Sequence, residues 1–303
     1  MARGGERPLT PLRSLPPLPD RALLADLCRE TAARERLQPQ VIEKDFYLTR
    51  LLWALGETLG DQALLKGGTL LSKVDLGFKR MSEDADLVVP KAPSSEKRTN
   101  VLALNMVRDA LKSTAGVVGV RLQFPDGQHF ERGAHRQWEL FYESELGQQS
   151  IKVEASLRPL LRPPRRVHLA QLLAEDALVG SYAPAFCYAL DADEARAEKV
   201  RAAFTREAIR DLYDLEQLAR AGADLSSRRF IRLVDTKLAE LDAPPLREQP
   251  ASFGAAAGPR RRALEASVTR ELQAVLRIDE PPLDLDVTFE RFNDLWALKA
   301  LAP

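Results

Sequence analysis

Cysteine is scarce in this chain, which has 303 residues and only two cysteines. Cys28 and Cys187 lie far apart in the sequence, so they suggest neither a disulfide framework nor a metal site, and they fit a reducing compartment. No run approaches the roughly 18 apolar residues of a membrane span, and the basic, proline-rich start lacks the apolar segment of a signal peptide. The sequence therefore predicts a cytoplasmic protein without a membrane association.

An excess of charge of either sign is also missing. The chain has 44 basic and 44 acidic residues, so no global basic field indicates a nucleic-acid partner. Aromatic residues make up 6% of the sequence, too few to assign a base-stacking platform. The hydrophobic content of 45% is ordinary for a globular protein, and the length allows two domains of about 150 residues each.

The first half alternates between helical and strand-like patterns. Residues 1–19 are rich in proline and predict a flexible or extended arm. Helical spacing follows over 20–37, with Asp20 as the N-cap, and over 41–60, where Gly60 closes the helix. Another helix is predicted at 98–114, and strands are predicted at 61–68, 83–90, 116–127, 135–144 and 150–159.

The second half is mostly helical from residue 169 onward. A break rich in proline, glycine and arginine interrupts it at 243–261. Helices are predicted at 169–176, 192–222, 227–242, 261–277 and 286–301. The order of elements predicts an α+β fold, with a mixed-sheet core domain at 20–168 and a helical domain at 169–303.

Carboxylates crowd the predicted strand EDADLVVP. Asp84 and Asp86 are two residues apart, so in a strand both project from one face, about 6.5–7 Å apart, while Ala85 and Leu87 face the other side. Like charges at this separation are costly unless a cation lies between them. Two adjacent carboxylates suit Mg²⁺, which prefers oxygen ligands and keeps positions for substrate phosphates.

A glycine turn precedes this strand. Gly67 and Gly68 would let the main chain approach a polyphosphate closely. Thr69 is predicted to cap a helix that ends at Gly77, and Thr69 and Ser72 would offer hydroxyl groups on one helical face. Three basic residues lie near in the sequence and would supply positive charge: Lys66, Lys73 and Arg80.

Each of these features is common when taken alone. A Gly-Gly turn occurs at many strand-to-helix junctions, and a D-x-D on a surface strand is mostly solvated charge. Together, within residues 66–86 and in strand–turn–helix–strand order, they favour nucleotide-plus-metal chemistry. Glu154, which shares a strand face with Lys152 and Ser156, could add a third carboxylate and let two metal ions be clamped, or could simply pair with a cross-strand Lys or Arg.

A charged helix at 192–222 is the other candidate region. On one continuous helix, Arg206 and Arg210 would lie within about 20° of Lys199, whereas Asp211 would point about 120° away. If Lys199 and Asp211 serve one site, the helix must break, and Thr205 could cap a second helix there. The alternative is a solvated face of a charged helix.

These motifs resemble those of the AbiEii/AbiGii toxin family of nucleotidyltransferases, which includes the MenT toxins. The resemblance runs in order from about residue 38 to 220, through the segments EKDFYLTRLLWAL, LLKGGTLLSK, RMSEDADLVV, IKVEAS and EKVRAAFTREAIRDLYDL. It implies a DNA polymerase β-like nucleotidyltransferase core followed by a helical domain. It also implies a toxin of a toxin–antitoxin or abortive-infection system. The amino-terminal arm has no counterpart in the resemblance.

The resemblance places the metal and the triphosphate in the first domain. Asp84 and Asp86 would bind Mg²⁺ or Mn²⁺ and act in catalysis, and Glu154 is a weaker match for a third carboxylate. Ser82 would contact the triphosphate. The phosphate-binding turn would comprise Lys66, Gly67, Gly68, Thr69 and Ser72.

The helical domain would contribute two further residues to the site. Lys199 would contact the nucleotide, and Asp211, in the motif RDLYDL that also holds Asp214, would be a catalytic or structural acid. The active cleft would then lie between the two halves of the chain. Glu43 and Lys44, in the EKDF segment, are interpreted as mainly structural.

The implied reaction moves a nucleoside monophosphate from an NTP to an acceptor and releases pyrophosphate. Some relatives modify the 3′ end of tRNA, so tRNA is the expected acceptor, and a cognate antitoxin is the expected partner. RNA would need a local basic surface, although basic loops are mostly solvated. The sequence offers PRRR at 259–262 and, ahead of it, a segment with four arginines: Arg158, Arg162, Arg165 and Arg166.

Other functions stay open at this stage. The chain could transfer a nucleotide to a protein target, or it could be a non-catalytic NTP-binding regulator controlled by an antitoxin. An ordinary α/β domain with an incidental acidic strand is the remaining alternative.

Overall fold

Two compact units make up the chain in a computed structural model, which describes residues 9–12, 15–173 and 184–297. The first unit comprises Met1–Val74 and Ser82–Leu190. The second comprises Asp75–Met81 and Asp191–Pro303. The first unit therefore continues past residue 168, where the sequence places the domain boundary, and the short segment 75–81 packs with the helical unit.

The first unit combines helices with a mixed sheet. Its helices are α1 (Arg21–Glu35), α2 (Pro39–Leu59), α3 (Gly67–Leu70), which continues as a π-helical turn at Leu71–Asp75, and α4 (Lys97–Val118). Its strands are β1 (Leu64–Leu65), β2 (Asp84–Pro90), β3 (Arg121–Leu122), β4 (Gln128–Phe130), β5 (His135–Tyr142), β6 (Gln149–Arg158), β7 (Arg165–His168) and β8 (Phe186–Ala189).

The strands of the described residues form one sheet in the order β3-β5-β6-β2-β1-β8-β7, with β4 paired to β5. Strand β2 runs parallel to β6 and antiparallel to β1, so the sheet is mixed, as predicted. The short strands β7 and β8 are absent from the sequence prediction; they pair with each other, and β8 pairs with β1. This pairing is the reason that the first unit extends to Leu190.

Helix α2 is buried on most of its surface in the core of the first unit. Helix α2 packs against α4 and contacts β6 and β8, and Phe46 and Leu48 on it are fully buried. Ala85 and Leu87, on the inner face of β2, are also buried. The helix also buries polar and charged side chains, among them Glu43, Asp45 and Arg50, so in this central position they need partners within the unit.

The second unit is helical. Its helices are α5 (Ala192–Thr205), α6 (Ile209–Arg220), α7 (Arg228–Ala239), α8 (Gly258–Ser267) and α9 (Leu285–Ala297). An aromatic cluster forms part of its core: the rings of Phe204, Phe292 and Trp296 all lie within 6 Å of the ring of Phe253, centroid to centroid. Among the described residues, none of the helices combines the length and hydrophobicity that a membrane span requires.

Helix ends account for several differences from the sequence prediction. Helix α1 begins after Asp20, whose carboxylate caps it, and α2 ends at Gly60, as predicted. Helix α4 runs four residues further than predicted, to Val118, and takes up part of the strand predicted at 116–127. The helix predicted at 169–176 is wrong for residues 169–173, which are not helical, and its remaining residues lie outside the described ranges. Residues 1–8 and 13–14 of the predicted arm and the end of the last predicted helix also lie outside those ranges.

Candidate active site

The glycine turn lies against the acidic strand within the first unit. The main-chain N–H of Lys66 donates to the carbonyl oxygen of Asp86 at 2.9 Å. Gly67 has a φ of +70°, which favours glycine, and a Cβ there would overlap the carboxylate of Asp86. The absence of a side chain at Gly67 therefore lets the turn and the Asp86 side chain come together.

The turn begins its helix earlier than the sequence predicts. Helix α3 starts at Gly67 after Lys66, so Thr69 lies inside the helix and the prediction that it is the N-cap is wrong. The hydroxyl of Thr69 instead donates to the carbonyl oxygen of Asp84 and contacts the Ser82 hydroxyl at 2.9 Å. Thr69 and Ser72 are buried, at 0% and 4% exposure, so Thr69 joins the turn to β2 rather than presenting its hydroxyl to solvent.

The two aspartates occupy the outer face of β2, as predicted from their spacing. Asp84 and Asp86 are partly exposed, and between them Ala85 is buried on the opposite face. Burial raises the pKa of Asp84; the neighbouring charge of Lys152 opposes this effect, and that of Asp86 adds to it. This pair of carboxylates is therefore short of positive charge.

Glu154 lies beside the aspartates on the adjacent strand. In the parallel pairing of β2 with β6, Asp84 is opposite Lys152 and Asp86 is opposite Glu154. The Nζ atom of Lys152 is 2.7 Å from Oε1 of Glu154, and Nε2 of His135 on β5 is 3.4 Å from Oε2. The adjacent imidazole of His135, with a further contribution from Lys152, lowers the pKa of Glu154 to about 2 even though burial opposes the shift.

These residues fit a divalent ion held by two carboxylates. Asp84 and Asp86 share one face of β2 and are partly exposed, and the carboxylate of Asp86 lies against Gly67 of the turn. Glu154 is engaged by a lysine and a histidine, and among the described residues no group of three His, Cys, Asp or Glu side chains has the geometry of a metal site. The donor set thus suits an ion whose remaining ligands come from substrate phosphates and water.

Two of the basic residues near the turn are occupied elsewhere. Lys73 is 2% exposed, and its Nζ donates to Asp45 at 2.5 Å and to Thr49 at 2.6 Å on α2. Burial lowers the pKa of Lys73, although Asp45 opposes this shift. Arg80 lies in the second unit, paired with Asp214. The prediction that Lys73 and Arg80 supply charge for phosphate is therefore wrong, and of these three residues only Lys66 is partly exposed.

The EKDF segment has a structural explanation that its sequence alone did not give. Asp45 binds Lys73 and accepts a hydrogen bond from the main-chain N–H of Leu172 at 2.9 Å. Lys44 lies 3.5 Å from Glu83 on the chain leading into β2, and the Ser144 hydroxyl donates to Glu43. The segment therefore connects α2 to the helical turn after the glycines and to the chain that leads into β2, which is consistent with the structural role expected for Glu43 and Lys44.

In the second unit, the helix at 192–222 breaks between α5 and α6. The break brings Lys199 to 2.8 Å from Asp211 and 2.9 Å from Asp214, which a continuous helix would not allow. Thr205 does not cap α6; its hydroxyl donates to the carbonyl oxygen of Arg201, and Ala208 precedes the helix. Sequence spacing thus identified the need for a break in the helix but not the residue that precedes the second helix.

An ion-pair network surrounds this break. Lys199 and Asp211 are 6% and 2% exposed, and Arg206 binds Asp211 at 2.5 and 3.0 Å. Burial alone would lower the pKa of Lys199, but its two carboxylates raise it. Burial likewise opposes ionisation of Asp211, yet Lys199 and Arg206 bring its pKa down to about 2. Arg210 points elsewhere and donates to the carbonyl oxygen of Glu271.

The four arginines proposed as an RNA surface do not share one surface. Arg158 ends β6 and pairs with Glu131 at 3.6 Å, whereas Arg165 and Arg166 are adjacent on β7 and face opposite sides of that strand. Arg165 donates to the carbonyl oxygen of Leu190, and exposed Arg166 lies 4.2 Å over the ring of Phe186. Arg162 lies in the loop between β6 and β7.

Comparison with known proteins supplies the family. A model described as nucleotidyl transferase AbiEii toxin, type IV toxin–antitoxin system, matches residues 50–297. The fold is similar to that of MenT4, a nucleotidyltransferase toxin from Mycobacterium tuberculosis H37Rv, with a TM-score of 0.64 and 22% identity over 94% of this chain and 91% of that one. JHP933 from Helicobacter pylori gives a TM-score of 0.49 and 16% identity over 87% and 93% of the two chains. No curated protein matches the sequence significantly.

The family match covers most of the chain, including the glycine turn, the acidic strand and the RDLYDL motif. The α+β architecture, with its mixed sheet and helical carboxyl-terminal region, agrees with the fold of MenT4. The chain therefore belongs to the AbiEii family of nucleotidyl transferase toxins of type IV toxin–antitoxin systems.

Proposed function

We propose that this toxin transfers a nucleoside monophosphate from an NTP to the 3′ end of a tRNA and releases pyrophosphate. The observation that carries the proposal is that the glycine turn is hydrogen-bonded directly to the acidic strand. The Lys66 N–H binds the Asp86 carbonyl oxygen, and the Thr69 hydroxyl binds that of Asp84. These two hydrogen bonds support a site where a triphosphate bound to the turn lies next to the two carboxylates.

The turn would bind the phosphates of the nucleotide. Gly67 and Gly68 leave the main chain uncovered, so its N–H groups can approach phosphate oxygens. Lys66 and Ser82 are partly exposed at either end of this region and would add an ammonium and a hydroxyl donor. Buried Thr69 and Ser72 would support the turn from inside.

Asp84 and Asp86 would hold Mg²⁺ or Mn²⁺ in the first unit. When bound, such an ion neutralises charge on the phosphates and favours ionisation of the attacking hydroxyl. The two aspartates provide a fixed seat, because β2 is held between β1 and β6 in the sheet. Glu154 stays ionised beside them, since the low pKa that His135 and Lys152 impose keeps it deprotonated at neutral pH.

The proposed reaction needs no reactant besides the NTP and the terminal ribose hydroxyl of the RNA. The oxygen of the terminal ribose hydroxyl forms a bond to the α-phosphorus, and the bond from that phosphorus to the bridging oxygen of the β-phosphate breaks. Pyrophosphate leaves with the electron pair of this bond, and the hydroxyl proton passes to water. In such a reaction the protein acts mainly by positioning groups and stabilising charge.

We propose Lys199 and Asp211 as further site residues on the strength of the family resemblance. The ammonium of Lys199 is shared between Asp211 and Asp214 within the second unit, so contact with a phosphate requires exchange of one carboxylate for a phosphate oxygen. Asp211 would then keep the lysine charged and oriented. The network supports this role because it holds the ammonium at a fixed position between charged partners.

The acceptor is proposed to be RNA rather than protein. Arg166 is exposed over the ring of Phe186, and an arginine next to an aromatic ring is a common partner for unstacked bases and their phosphates. A neutral overall charge favours such a local contact over a broad basic groove. We further propose that the toxin acts in the cytoplasm, in antiphage defence, and is controlled by a cognate antitoxin.

The test is to incubate the full chain with each α-labelled NTP, Mg²⁺ and either total tRNA or lysate protein. We expect label in tRNA for the wild type and no label for Asp86→Asn, with an unchanged thermal melt. The matched control is Asp109→Asn on α4, where a partly exposed carboxylate pairs with its neighbour Arg108; it should label normally.

Each other outcome decides against part of the proposal. Label in protein would favour nucleotidylation of a protein target. Binding of NTP without any transfer would favour a non-catalytic regulator. Full labelling by Asp86→Asn would reject the assignment of the aspartates.

A further inference from the structure

Lys152 occupies an unusual place in the row of carboxylates on β2 and β6. It lies opposite Asp84 in the strand pairing, two residues before Glu154 and on the same face. Its Nζ is 2.7 Å from Glu154 Oε1 and 3.8 Å from Asp84 Oδ2. One ammonium group therefore bridges a carboxylate on each of the two strands.

The position matters because three carboxylates converge here. Asp84, Asp86 and Glu154 repel one another unless positive charge lies among them. A site with two metal ions would supply four positive charges, and Glu154 would have to turn at least one oxygen toward an ion. In this chain Glu154 already has Lys152 at one oxygen and His135 at the other.

We propose that the ammonium of Lys152 takes the place of a second divalent ion, so that the protein itself binds one metal ion, at Asp84 and Asp86. The inference rests on the proposed function, since it concerns the same carboxylates. It assigns Glu154 to the lysine and removes it from the metal ligands that the sequence suggested.

Electrostatics and hydrogen bonding both support this assignment. A divalent ion at Glu154 would lie beside a like charge only 2.7 Å from the carboxylate oxygen, in a partly buried site where screening by water is reduced, whereas the ammonium is farther from Asp84, at 3.8 Å. The ammonium has three donors and no acceptor, so it can bind two carboxylates at once. Unlike a divalent ion, it does this without exchanging water ligands for substrate oxygens. Lys152 thus balances charge permanently, independent of the metal concentration.

The experiment measures how many Mn²⁺ ions the full-length, nucleotide-free protein binds, by electron paramagnetic resonance of the free ion during a titration. We expect one ion for the wild type and two for Lys152→Met, because this substitution frees Glu154 and Asp84 from the ammonium. Lys152→Arg keeps the charge and should bind one.

Lys112→Met is the matched control. Lys112 is also a partly exposed lysine paired with a carboxylate, at 42% exposure against 38% for Lys152, but its partner Asp126 lies away from β2 and β6. It should leave the stoichiometry at one. A thermal melt of every variant separates a change in binding from a loss of folding.

The outcomes distinguish this inference from the proposed function. Two ions in the wild type would overturn the role of Lys152 and leave the metal-dependent function standing, and this result does not depend on any variant folding. One ion in a folded Lys152→Met protein would also overturn it. No ion in the wild type would reject the proposed metal site itself, and the role of Lys152 with it.

Discussion

Arg80 and Asp214 form a bidentate ion pair within the helical unit, with Nε 2.6 Å from Oδ1 and Nη2 2.7 Å from Oδ2. Both side chains are buried, at 6% and 2% exposure. Asp214 belongs to the RDLYDL motif on α6, and Arg80 lies two residues before Ser82. The pair therefore fixes the main chain that leads into the acidic strand to a helix far away in the sequence.

Removal of Asp214 should strongly destabilise the protein. Asp214→Ala leaves Arg80 buried without its main counter-charge and takes one of two carboxylates from Lys199. We expect a loss of about 3–5 kcal/mol in the free energy of unfolding, the usual result when one partner of a buried pair is removed. Urea denaturation followed by circular dichroism measures it.

An exposed ion pair serves as the control for this loss. Asp286 binds Arg261 at 2.6 Å but is 80% exposed, and Arg261 keeps Glu265 as a second partner. Asp286→Ala should therefore change the stability little. Equal losses for the two variants would show that burial of Asp214 is not the source of the effect.

The pair between Lys73 and Asp45 should show strong coupling. Asp45→Ala removes the carboxylate that lies 2.5 Å from an ammonium with 2% exposure, so we expect a loss of about 3–5 kcal/mol in the free energy of unfolding. In the double variant Asp45→Ala, Lys73→Met the buried ammonium is removed together with the carboxylate, and the loss should be smaller than the sum of the single losses. A double-mutant cycle of unfolding free energies measures this difference; simple additivity would contradict it.

Replacement of Gly67 should reduce nucleotide transfer. Gly67→Ala adds a methyl group where the Asp86 carboxylate lies, in a backbone conformation with positive φ. Displacement of that carboxylate by about 1 Å is enough to lower the rate about 10²-fold. The steady-state rate of label incorporation is the measurement.

Gly77→Ala separates the two effects of that substitution. Gly77 has a φ of +63°, close to that of Gly67, but no atom lies within 4 Å of its Cβ position. It therefore carries the backbone strain without the collision, and it should retain most of the activity. If both variants lose activity to the same extent, strain alone explains the result and the contact with Asp86 is irrelevant.

Acid should weaken the network around Asp211 in a predictable direction. The pKa of Asp211 is lowered from 3.8 to about 2 in the folded protein, so its ionised form stabilises folding above pH 4. This stabilisation is lost as the pH falls through the interval between the two values. The advantage of the wild type over Asp211→Asn should therefore shrink by about 1 kcal/mol between pH 6 and pH 3.

Urea titrations of both proteins across that pH range give the measurement. An Asp211→Asn protein with the same pH dependence as the wild type would show that Asp211 does not contribute. A larger advantage of the wild type at pH 3 would contradict the sign of the shift.

Local sequence patterns were sufficient for much of the fold. Helix α1 with its Asp20 cap, α2 with its Gly60 end, and the face shared by Asp84 and Asp86 follow from side-chain spacing over a few residues. The family resemblance also followed from ordered local motifs, and the match to the AbiEii family confirms it. Propensity was insufficient for β7 and β8, because strands of four residues form only when a neighbouring strand offers hydrogen bonds.

The sequence by itself determined the kind of chemistry that this protein can support, because a glycine turn and a D-x-D strand are local arrangements. Only the tertiary structure decided which charges remain available for it. In the sequence, three basic residues look equally available near the turn or the acidic residues: Lys73, Arg80 and Lys152. In the structure they bind Asp45, Asp214 and Glu154, respectively. For Lys73 and Arg80 the physical reason is that burial forces each charge to take an opposite charge as a partner, and that partner comes from a distant part of the chain. Lys152 is partly exposed, and its partner lies on its own strand, so there the fold decides only that the two side chains meet beside Asp84.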